Sequence, residues 1–113
     1  MNPKKKEWLW YEAKYEMAEF ILGRLENYKE QYNKNGRSLP DWILADSDKK
    51  SIYTDKEESD LIMAWNKELD FMIEAFSQVL NYTLAFDKSL EYDEDKIQEG
   101  LNKFSKYYLH FWD

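Results

Sequence analysis

The chain is 113 residues long, has 23 acidic and 16 basic side chains for a net charge of −7, and contains no cysteine. That length suits one domain with an ordinary core, and the lack of cysteine excludes disulfides, thiolate chemistry and cysteine-ligated metal, in keeping with a reducing compartment. The acidic balance repels phosphate backbones, so direct binding of nucleic acid is not expected.

Aromatic residues make up 18% of the chain, with five Trp and nine Tyr against three Gly and two Pro. Many large side chains and few helix breakers point to long helices rather than to disorder. No stretch approaches the roughly 20 apolar residues of a membrane span. The charged start Met1–Lys6 is followed by alternating Trp, Tyr and Glu rather than by an apolar signal core, so the expected location is cytoplasmic.

The first element runs over about 5–34. Trp8, Tyr11, Tyr15, Ala18, Leu22, Leu25 and Tyr32 recur at three- and four-residue steps, which places them on one helix face. Asn35-Gly36 supplies a left-handed stop, and Pro40 keeps the residue before it out of helical geometry. Within this connection, Trp42-Ile43-Leu44 is an apolar plug expected to fold back on the helices. A short fourth helix in 38–47 is one form it can take.

Thr54-Asp55-Lys56-Glu57 reads as a capping box opening a second helix. Its stripe, Ile62, Trp65, Leu69, Met72, Ile73, Phe76, Val79 and Leu80, is the cleanest in the chain, and the helix is expected to end near Asn81. Residues 81–92 read equally well as more helix or as an extended connection. A third helix starts in Asp93-Glu94-Asp95, whose charge suits a helix N-terminus. Its inner face is Ile97, Leu101, Phe104, Tyr108 and Phe111. Gly100 interrupts it at about 1 kcal/mol relative to Ala, and close packing against a neighbouring helix is the expected reason. Three amphipathic helices must cover one another, so the expected fold is an all-α three-helix bundle forming a single domain over 1–113.

Two stretches carry a resemblance. Trp65, Leu69, Asp70, Met72, Ile73, Ala75, Phe76, Val79 and Leu80 form the first. Ile97-Gln98-Glu99-Gly100-Leu101, Phe104, Lys106-Tyr107-Tyr108 and Trp112-Asp113 form the second. Together, over about 60–113, they resemble small uncharacterised acidic helical proteins of tailed bacteriophages. The resemblance implies a phage origin, hence the host cytoplasm, and carries no activity and no site residues with it.

Constellations for catalysis are missing. His110 is the one histidine and reads as a solvated or capping residue; no Glu-x-x-His pair builds a di-iron site, and the glycines at 23, 36 and 100 form no phosphate loop. Adjacent carboxylates such as Glu57-Glu58 turn to different sides of a helix. The expectation is a protein that is not an enzyme and needs no metal or cofactor.

One charged feature departs from a generic bundle. At about 100° per residue, Glu12, Glu16, Glu19, Glu26 and Glu30 fall on one flank of the first helix, read as lying beside the apolar stripe, in a row about 27 Å long. Like charges four apart each oppose the helix by a few tenths of a kcal/mol. Acidic patches at Asp55-Glu57-Glu58-Asp60 and Asp93-Glu94-Asp95-Glu99 are candidates to join it. The plain reading is a solubilising surface, which charge alone favours. The functional reading is a face that imitates a nucleic-acid backbone and occupies a basic groove; a phage origin narrows the gap between them.

Apolar surface is also in surplus. Trp10, Met17, Ile21 and Tyr28 form a second stripe about 100° from the first, and Phe71 points away from its own core face. Further intramolecular burial, a homodimer, and a foreign partner or ligand groove each account for it. The sequence reading that results is an inhibitor of a host or defence protein with a basic surface. It engages that partner through the Glu12–Glu30 row, with Trp10, Met17 and Tyr28 as apolar anchors. The alternatives are a sponge holding a signalling nucleotide among aromatic rings and a homo-oligomeric assembly protein.

Overall fold

The three expected helices form, and no strand is present among the described residues. In the computed structural model the backbone is described at 3–35, 38–84 and 93–111, and side chains at 13–35, 38–81 and 93–111. The elements are α1 (Pro3–Asn35), α2 (Asp55–Leu84) and α3 (Glu94–Tyr107), with single 3-10 turns at Asp41–Ile43, Asp46–Asp48 and Tyr108–His110. The connection therefore holds two tight turns where a fourth helix was one expectation. The Asp41 amide donates to the Leu39 carbonyl, and Leu44 and Ala45 are extended, so neither turn propagates.

Local chemistry sets the helix ends. The Thr54 amide donates to Glu57 Oε1 at 3.0 Å and the Glu57 amide donates to Thr54 Oγ1 at 3.1 Å, the reciprocal capping box read from the sequence. Lys50 Nζ also pairs with the Glu57 carboxylate. Asp93 caps α3 by accepting from the Lys96 amide at 3.1 Å. Its own amide donates to Gln78 Oε1 at 3.0 Å, fixing where α3 enters against α2. α2 runs three residues beyond Asn81, so Tyr82-Thr83-Leu84 extend the helix; residues 85–92 lie outside the described residues, as does the Gly36 stop.

Antiparallel register between α1 and α2 is held by polar pairs at their edge. Lys29 Nζ meets Asp70 Oδ1 at 2.5 Å, and the Asn33 and Asn66 side-chain amides donate to one another at 2.6 and 2.9 Å. Each Asn also donates to the carbonyl four residues earlier, Lys29 and Ile62, which orients it. Paired positions sum to 99, so the first dozen residues of α1 run past the last residue of α2.

The core lies along α2. Trp65, Leu69, Met72 and Ala75 are wholly buried, faced by Ala18, Leu25 and Tyr32 of α1 and by Ile97 and Tyr107 of α3. Trp65 is the hub, with rings of Trp42 and Tyr107 each edge-on at 5.3 Å and Tyr28 at 6.3 Å. Trp42 delivers the expected plug, and His110 stacks flat on it at 5.3 Å and 4°. α2 and α3 approach closely at Gly100. A Cβ there would lie 2.3 Å from Ala75 Cβ and 2.5 Å from the Phe71 carbonyl oxygen. Phe71 is not surplus surface: it is half-buried, with Lys103 Nζ 5.0 Å over its ring.

One departure from a closed triangle matters for function. α1 and α3 both pack along α2 but barely touch each other among the described residues. The molecule measures 56 × 36 × 27 Å with a radius of gyration of 17.3 Å, against about 13 Å for a compact chain of this length.

Candidate functional site

The helix α1 presents three sectors around its circumference. Ala18, Leu25 and Tyr32 face α2 and are buried. Met17, Ile21, Arg24, Tyr28 and Gln31 face the space between α1 and α3. Glu16, Glu19, Glu26 and Glu30 point outward and are exposed. At about 100° per residue the glutamate row lies about 140° from the buried line, on the outer side of the helix and farther from the core than the sequence reading placed it.

No ion pair or hydrogen bond to these four glutamates is formed among the described residues. Nearby cations are directed elsewhere: Lys29 goes to Asp70, and the Arg24 guanidinium sits 5.0 Å over the Phe20 ring. The fifth member, Glu12, has its side chain outside the described residues, as does the expected anchor Trp10. Gly23 falls within the row and nothing lies within 4 Å of where its Cβ would be, leaving bare backbone between Glu19 and Glu26.

The two acidic patches elsewhere serve helix ends. Glu57 is held by Lys50 and by both groups of Thr54, and these bonds to its charged form, the Lys50 one largest, lower its pKa to about 2. Lys50 is raised in turn, chiefly by the same hydrogen bond. Asp93 is occupied by its cap.

On a different side of α1 from most of the row, with Glu16 alone at its rim, α1 and α3 enclose an open groove of about 1060 Å³. Met17 (63% exposed) and Phe20 (62%) form one wall, and Phe104, Phe111 and the half-exposed Tyr108 (58%) form the other. Tyr28 and Phe111, edge-on with centroids 5.1 Å apart, bridge its floor. The expected anchor Met17 is thus at the surface, whereas Tyr28 is half-buried and packed on the core between Tyr32, Trp65 and Phe111. Ile21, from the same stripe, is half-buried too. Phe20 escapes the sequence reading because it belongs to neither stripe; its one signal is that it stands four residues before Arg24, which shields one face of its ring.

Buried titratable chemistry is sparse. Tyr32 has its pKa pushed up to about 12, first by burial and then by neighbouring Tyr28, while its hydroxyl donates to the Ser38 carbonyl at 2.9 Å. That bond ties the end of α1 to the connection. Among the described residues no group of acidic or histidine side chains is placed to hold a metal ion, and no helix is long and apolar enough to cross a membrane. Compared with family models, curated proteins and solved structures, the chain matches none.

Proposed function

We propose that this is a non-enzymatic binding protein that inhibits a host or defence protein by presenting the outer face of α1 to a basic surface. The observation that carries the reading is the exposed line of Glu16, Glu19, Glu26 and Glu30, unneutralised among the described residues, on a helix stiffened along one side by α2. Helix-borne carboxylates at fixed spacing offer a basic groove the charge pattern of a phosphate backbone without its flexibility. Such complementarity acts mainly through encounter rate and specificity. The resemblance to tailed-phage proteins over about 60–113 sets the proposal in an infected cell.

Charge argues against the two alternatives. A nucleotide sponge needs cations converging on the aromatic groove, whose lining has Arg24 and Glu16, one charge of each sign. A homodimer through α1 brings two glutamate rows and two net charges of −7 together.

The test is competition. Against a panel of basic nucleases and nucleic-acid-binding proteins, the wild type should displace labelled DNA from at least one. A variant with Glu16, Glu19, Glu26 and Glu30 changed to Lys should not. A control reversing four acids elsewhere (Asp55, Glu58, Asp60 and Glu94) has the same net charge and should retain activity. Equal loss in both variants would reduce the row to bulk charge.

A further inference from the structure

We propose that the connection between α1 and α2 is a releasable strap: residues 39–49 lift off the bundle as a unit, with Trp42 as the latch, while the three helices stay packed. The strap is tied to itself rather than to the helices. Its backbone bonds are those of its two turns, from Asp41 to Leu39, Ile43 to Pro40, Leu44 to Asp41, Asp48 to Ala45 and Lys49 to Asp46, at 2.8–3.5 Å. Its one ion pair among the described residues, Lys49 with Asp46, is internal. Among the described residues, none of 39–49 forms a hydrogen bond or ion pair with α1, α2 or α3. The ties to the helices lie just outside: the Tyr32 hydroxyl donates to the Ser38 carbonyl at one end, and Lys50 pairs with Glu57 at the other. These are the two points about which the strap pivots.

Apolar contact is what closes it. Pro40 is wholly buried, and Trp42 and Ile43 are half-buried against the core, whereas the second turn, Asp46–Asp48, is exposed. Trp42 is the chief contact, edge-on to Trp65 and flat on His110, with centroids 5.3 Å away in both cases. Its own indole weakens that hold. The buried Nε1–H of Trp42 meets no acceptor among the described residues, so closing strips this donor of hydrogen bonding that it regains on release. A segment held by a few apolar side chains, with only short-range backbone bonds and one donor unmet, opens at a far lower free energy than the core beneath it. The contacts that hold the helices lie elsewhere. Lys29–Asp70 and the Asn33–Asn66 pair set the register of α1 on α2, and Gly100 lets α3 close on α2. Release therefore bares the edge of Trp65 and the face of His110 and leaves the acidic side of α1 as it is. The device switches one aromatic end of the bundle between capped and uncapped.

Native-state hydrogen exchange of the full chain, followed by NMR, tests this. The probes are Trp42 Nε1–H and the Leu44 amide for the strap, and the Leu69 and Met72 amides for the helices. After correction for intrinsic rates, the strap probes should share one opening constant, at least ~100-fold larger than that of the helix probes. Ile97→Val, in the core near the start of α3, should raise the helix constants by roughly two- to tenfold and leave the strap constant unchanged. Trp42→Ala should strip Leu44 of its protection and keep the helical circular dichroism.

Strap and helix probes that exchange with one constant, and rise together in Ile97→Val, would mean that 39–49 leaves only when the whole fold is lost, which overturns the proposal. Loss of the helical signal in Trp42→Ala overturns it too. Strap probes with unrelated opening constants would reduce the segment to independent fraying and remove Trp42 as its latch.

Discussion

Two glycines inside helices show how much a single residue's surroundings decide. Gly23 and Gly100 both forgo about 1 kcal/mol of helix propensity relative to Ala. A methyl group at Gly23 would meet nothing within 4 Å, whereas at Gly100 the obstacle is the Phe71 carbonyl, backbone that cannot rotate away. Gly23→Ala should therefore stabilise the protein by about 0.5–1 kcal/mol. Gly100→Ala should destabilise it, because overpacking of about 1–3 kcal/mol outweighs the propensity gain. Paired thermal melts followed by circular dichroism check both signs, and equal shifts would mean that α2 and α3 do not approach so closely. Glu57 gives the pH counterpart. Its folded pKa of about 2 lies below the usual carboxylate value, so its stabilising contribution is complete above about 4.5 and is lost as the pH falls through 2. Carboxylate NMR titration should place its midpoint well below the usual carboxylate value, and Lys50→Met should raise that midpoint.

At the level of elements, α2 is the spine and Trp65 its main contact. Trp65→Ala should cost about 3–5 kcal/mol. Trp65→Phe should cost much less, roughly 1–2 kcal/mol, because the buried indole Nε1 has no hydrogen-bond acceptor among the described residues and its removal ends an unmet desolvation cost. Denaturant melts of the two variants separate the terms; equal losses would reveal an acceptor for the indole. The sequence was legible wherever the signal was local. The Thr54–Glu57 box, the start of α3 in the Asp93 cluster and the stripe from Trp65 to Val79 each follow from residues within a turn or two. It was less legible where a second element had to be placed. Periodicity put Tyr28 and Met17 on one stripe, but the positions of Trp65 and Phe111 make Tyr28 half-buried while Met17 stays at the surface. Likewise, three amphipathic faces implied three mutual contacts, yet nothing in any one helix says that α1 and α3 splay apart. The groove and Phe20 arise from that splay.

Over the whole molecule, charge and shape act together. A 33-residue helix sets the long axis, and one side of it carries a glutamate line that the rest of the fold, among the described residues, leaves unpaired. Attraction between exposed charges reaches only about 10 Å at 0.1 M salt, so a surface that works through this line must weaken steeply as salt is added. The most direct test is the dissociation constant for a basic partner found by competition, measured from about 50 to 500 mM salt. Wild type and the control reversed at Asp55, Glu58, Asp60 and Glu94 should show similar steep slopes of log Kd on log salt, and the variant reversed at Glu16, Glu19, Glu26 and Glu30 should bind weakly with little slope. A wild-type affinity indifferent to salt, or a row-reversed variant that binds as tightly as wild type, would contradict the assignment of this helix face as the binding surface.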